Sequence, residues 1–138
     1  MNLSEAIAAW QNNSTGAAAL YALSTPEMHH GPELSRGMVV TGQPEAVAAN
    51  WRGRIILTPC SFTENEELAD AFAELDEEPQ PGVVRVKIFL DGPVRTVALF
   101  GGDQAYAFEA EHLVAGEFHA SAEVIGDIVV VFLIIPGN

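Results

Sequence analysis

From Val83 onward the chain is a series of apolar runs of strand length, each stopped by a turn signal. Val83 to Leu90 ends at Asp91-Gly92, Pro93 to Phe100 ends at Gly101-Gly102-Asp103, and Phe118 to Val124 is followed by Gly126 and Asp127, ahead of Ile128 to Ile135. The longest of these runs is far from the roughly 20 residues of a membrane-spanning helix. Asp-Gly between two such runs predicts a two-residue hairpin joining 83–90 to 93–100. Tyr106, Phe108 and Ala110 alternate with Ala107, Glu109 and Glu111, the pattern of a half-buried strand. Ile128 to Ile135 is apolar without a break, which predicts a strand covered on both faces.

The first half reads differently. Ser4 is placed to cap a helix carrying Leu3, Ile7 and Trp10 on one face, and Ala17 to Leu23 predicts a second short helix ending before Pro26. Residues 24–37 read as a loop. Met38 opens the first strand, Glu45 to Asn50 is a turn or strand edge, and Arg52 to Thr58 is a strand with Arg52, Arg54 and Ile56 on one face. Thr63-Glu64-Asn65-Glu66 has the form of a capping box. It opens a predicted helix over Thr63 to Glu78, with Leu68, Ala71, Phe72 and Leu75 as its apolar stripe and Pro79 and Pro81 as its stop. The sum is a single α+β domain over residues 1–138, with helices packed on a mostly antiparallel sheet.

Charge narrows the function. Nineteen acids against six bases give a formal charge of −13, and all six bases lie between Arg36 and Arg95. Eight of the acids fall between Glu64 and Glu78, and no base follows position 95. Duplex DNA is bound by cations that displace its counterions, so a nucleic-acid reader is excluded. Cys60 is the only cysteine. With no basic-then-apolar leader at the N-terminus, the expectation is a cytoplasmic protein in a reducing compartment.

The residues capable of chemistry do not group in the sequence. His29 and His30 are adjacent and point two ways, and His112 and His119 would fall on opposite faces of one strand. Cys60 precedes the capped helix, where a thiol can be activated, but no local base accompanies it. Glu109 and Glu111 could form an acid–base couple, as could many pairs among nineteen acids. Gly101-Gly102 lacks the context of a phosphate loop. The sequence therefore predicts no catalytic residue, no metal and no cofactor. What it offers is a charged surface: Glu66, Asp70 and Glu74 at i, i+4, with Glu77 and Glu78, set against Arg52, Arg54, Arg85, Lys87 and Arg95 as a candidate interaction surface.

The order of elements, with a strand ending at Phe62 and then the helix TENEELADAFAELDE, resembles the tail-terminator or tail-completion proteins of long-tailed bacteriophages. That resemblance implies a structural virion protein and not an enzyme: an oligomeric ring, most simply a hexamer, at the head–tail junction, meeting other virion proteins and passing DNA through an acidic lumen. The match is imperfect. GMVVTG stands where the family carries a different strand, and the C-terminal half is longer. Two other readings stay open: an acidic binding module such as an immunity protein or an inhibitor of a basic partner, and a small enzyme using Cys60 or a histidine.

Overall fold

The computed structural model describes Ala22 and residues 26–98 and 111–136. The expected helices over 3–10 and 17–23, the turn at 101–103 and the strand at 106–110 fall outside the described residues, apart from Ala22. Within them the chain is mostly strand: β1 (Glu27–His29), β2 (Leu34–Thr41), β3 (Gly53–Thr63), β4 (Val83–Leu90), β5 (Val94–Ala98), β6 (Glu111–Ile125) and β7 (Ile128–Ile134). Two short helices interrupt them, α1 (Pro44–Ala49) and α2 (Glu66–Phe72). No described helix is long and apolar enough to cross a membrane.

The sheet closes on itself. β4 lies between β2, antiparallel from Leu34↔Leu90 to Thr41↔Val83, and β7, parallel from Arg85↔Ile128 to Leu90↔Leu133. β7 turns back on β6 through Gly126, whose φ of 64° favours glycine. β6 pairs with β3 from Gly53↔Ala120 to Thr63↔Glu111, and β3 returns to β2 at Ser35↔Thr63. The ring encloses Leu34, Phe62, Val84, Val86, Ile88, Leu90, Val114, Phe118, Val129, Val131 and Leu133. β5 and β1 extend the sheet outside this ring: Val97 and Ala98 pair with Leu113 and His112 of β6, and β1 pairs with β5.

This corrects the expected α+β arrangement of helices on a sheet. The reason lies in β6, whose 15 residues serve two neighbours besides β3. Its first residues pair with β5 and its last with β7. The register shift between Leu57 and Cys60 in β3, opposite Gly116 with φ 119°, bends the pair so that one strand spans both parts.

Several local expectations change with it. Asp91-Gly92 is not a hairpin turn: both edges of β4 are taken by β2 and β7, so the chain turns there into a different part of the sheet. Residues 24–37 hold β1 and the start of β2, and Pro44 to Ala49 is a helix, with proline in its first turn. β3 runs on through Pro59 to Thr63. β7 is covered on one face only, with Phe132 and Ile134 exposed on the other.

The helix after β3 is shorter and differently seated than predicted. Its N-cap is Asn65, whose Oδ1 accepts from the Leu68 amide, while Thr63 Oγ1 accepts from the Asn65 amide. It ends at Phe72, and Glu74 follows with φ 56°. Ala69 and Ala73 face the sheet, and Phe72 is 50% exposed. A Cβ on Gly37 of β2 would lie 1.8 Å from the Ala69 carbonyl oxygen, so helix backbone rests directly on strand backbone. Contact that close leaves no room for a leucine or phenylalanine stripe, and the seat is made by small side chains instead.

Candidate functional site

Arg36 interrupts an apolar run. On β2 it shares a face with Leu34 and Met38, and the Ser35↔Thr63 pairing sets it level with Phe62. Phe62 in turn pairs with His112 of β6. Arg36, Phe62 and His112 thus form one row across three strands. Arg36 Nη1 donates to the Ser61 carbonyl at 2.8 Å, its one hydrogen bond among the described residues. Its remaining N–H groups are therefore available to an anion. Cys60 lies nearby, and burial pushes its thiol pKa up, although Arg36 pulls the other way. A protonated thiol is a poor nucleophile.

His112 is buried and anchors a cluster. Its Nδ1 pairs with Thr96 Oγ1 at 2.8 Å and its Nε2 with Glu64 Oε2 at 2.9 Å. Burial lowers its pKa, only partly offset by the Glu64 carboxylate, and His29 lowers it further. The His29 ring centroid lies 4.5 Å from that of His112, tilted by 60°. Its Nε2 pairs with the Pro32 carbonyl at 2.8 Å. β1, β5, β6 and the turn after β3 each supply one member. Glu111 sits one residue before His112, at the register position of Thr63.

The residues expected to form a charged surface are divided among separate places. Lys87 is 4% exposed and pairs with Glu66 and Asp70, so two members of the acidic stripe compensate a buried cation beneath α2. Arg85 is buried too. It makes two bonds to Asp127, at 2.8 and 2.9 Å, and donates to the carbonyls of Glu74, Leu75 and Glu77. Arg54 pairs with Glu117, and Arg52 reaches Glu45 at 3.7 Å and the Ala122 carbonyl. Arg95 lies exposed on β5, and Glu77 and Glu78 are exposed. No single face carries this set.

Sequence reasoning missed Arg36, Glu64, Thr96 and the meeting of His29 with His112. For Arg36 a signal existed, a base inside an apolar run. For the rest there was none, because their nearness comes from β6 being shared between β3 and β5.

No protein-family model matches the sequence, and no curated protein matches it. Solved structures do. The chain is similar to the ADP-ribosyltransferase Vis in complex with agmatine, at TM-score 0.56 and 16% identity over 95% of this chain and 72% of that one. It is similar to the Vis toxin from Vibrio splendidus, at 0.51 and 15% over 95% and 64%, and to Vis with an inhibitor, M6, at 0.51 and 19% over 75% and 48%. The chain thus spans between about half and three quarters of the length of those proteins.

The fold is that of ADP-ribosyltransferases. It replaces the resemblance to phage tail terminators. The virion ring, the head–tail junction and the expectation of a non-enzymatic structural protein fall with that resemblance, since the solved proteins sharing this fold are enzymes.

Proposed function

We propose that this chain transfers an ADP-ribosyl group from a nicotinamide dinucleotide to a cationic acceptor. The likeness of fold over 95% of the chain carries the reading. The residues present suit the chemistry. Transfer breaks the bond between ribose C1′ and nicotinamide nitrogen, develops oxocarbenium character, and forms a bond from C1′ to the acceptor, which loses a proton. The donor's diphosphate calls for a fixed cation, and Arg36 suits that need: the Ser61 carbonyl holds one nitrogen of its guanidinium. The developing positive charge and the acceptor's proton call for a carboxylate. Glu111 is assigned that role, because it opens β6 beside Thr63, whereas Glu64 is engaged by His112.

Charge bears on the acceptor. A chain at −13 attracts cations, and agmatine, the small guanidine held by one of the similar structures, is of that kind. The test is incubation with a labelled nicotinamide dinucleotide and agmatine, read as labelled ADP-ribosyl-agmatine. Arg36→Ala and Glu111→Gln should each lower the rate about 100-fold while melting close to the parent. Absence of product together with absence of donor binding would overturn the assignment.

A further inference from the structure

His29, Glu64 and His112 are far apart in sequence, yet one ring nitrogen of each histidine and one carboxylate oxygen of Glu64 all lie within 4.8 Å of one another. The bland account is a hydrogen-bonded cluster that satisfies a buried histidine. It explains Thr96 and Glu64, which bond the two nitrogens of His112. It does not require His29, whose ring is tilted by 60° against that of His112 at 4.5 Å between centroids. Nor does it explain the backbone at Gly31, where a Cβ would lie 2.9 Å from the His29 ring and 3.7 Å from Glu64 Oε1.

We propose that His29, Glu64 and His112 form a binding site for a divalent first-row transition metal ion. Two neutral imidazoles and a carboxylate are a donor set for such ions, with a fourth position left for water. Thr96 fixes the His112 ring through the nitrogen that does not face the ion, the usual arrangement behind a ligating histidine. The ion takes the place of the contact between His112 Nε2 and Glu64, and the single ring proton of His112 sits on Nδ1, donated to Thr96 Oγ1, so the imidazole stays neutral. Bound there, it ties the β1–β5 edge to β6 and to the turn after β3. Magnesium is disfavoured, because it demands an octahedral oxygen set. The proposal is independent of the transferase reading and stands against the expectation that the histidines are incidental.

Calorimetric titration of the full chain with zinc chloride near neutral pH tests it, alongside magnesium chloride and a thermal melt. The expected result is one zinc per chain, a raised melting temperature and no comparable magnesium binding. His112 is buried, so the test rests on variants at more accessible positions. His29→Gln and Glu64→Gln should each weaken binding by at least about tenfold, Thr96→Val by about tenfold, and the neighbouring His30→Gln by nothing measurable. Failure to saturate, zinc affinity that survives both His29→Gln and Glu64→Gln, or equal affinity for magnesium would overturn it.

Discussion

Phe62 and Phe72 are alike in sequence, each an aromatic side chain in a run of moderate hydropathy, and the fold treats them oppositely. Phe62 is 1% exposed inside the closed sheet, whereas Phe72 stands half in solvent on the outer side of α2. Phe62→Ala should cost about 3–5 kcal/mol through the cavity it leaves. Phe72→Ala should cost about 1 kcal/mol or less. Urea unfolding of the two variants measures the contrast, and equal losses would mean that α2 is seated differently. Asp127 gives a prediction in pH. Its two bonds to Arg85 hold its carboxyl below the usual 3.8. The unfolded chain therefore takes up this proton first as acid is added. The stability the pair supplies is complete above the unfolded value and is lost as pH falls through the depressed folded one. Asp127→Asn should flatten the melting temperature against pH below about pH 4, and an unchanged slope would show that other carboxylates govern acid unfolding.

Among elements, α2 shows how a local pattern can be correct about helix and wrong about its faces. A cap at the end of β3 and leucine, alanine and aspartate after it do make a helix. The inward side is Glu66, Ala69, Asp70 and Ala73, because Gly37 and Lys87 beneath it require small side chains and anions. Leu68, Ala71, Phe72 and Leu75 were legible as a stripe only on the assumption that apolar means inward. Gly37→Ala tests the seat: its new methyl group strikes helix backbone, which cannot rotate away, so a loss of about 2–3 kcal/mol or more is expected in chemical denaturation. A neutral outcome would mean that α2 lifts freely from β2. Thr63 and Asn65 also show why capping signals place a helix only to within a turn, since each makes a capping-type bond and Asn65 begins the helix.

At the scale of the whole molecule, the charge of −13 survives as a prediction: duplex DNA should not be retained at about 0.15 M salt in a filter or shift assay, whatever the acceptor proves to be. Composition and period determined that the described residues from Val83 on are mostly strands, that no described helix spans a bilayer, and that Arg54 and Ile56 share a face. These properties are decided within a few residues, by alternation, turn chemistry and charge. The partner of each strand was not decided there. Asp91-Gly92 looks the same whether it closes a hairpin or redirects the chain, and the difference is that β2 and β7 occupy both edges of β4. The candidate site depends on the same choices. Arg36 meets Ser61 because β2 returns to β3 at Ser35↔Thr63, and His112 meets Glu64, Thr96 and His29 because β6 pairs with β3 along its length and with β5, which carries β1, at one end. Contacts across 16 to 83 residues of chain follow from the pairing of strands distant in sequence, which stabilises the molecule through non-local burial that no short window of sequence contains.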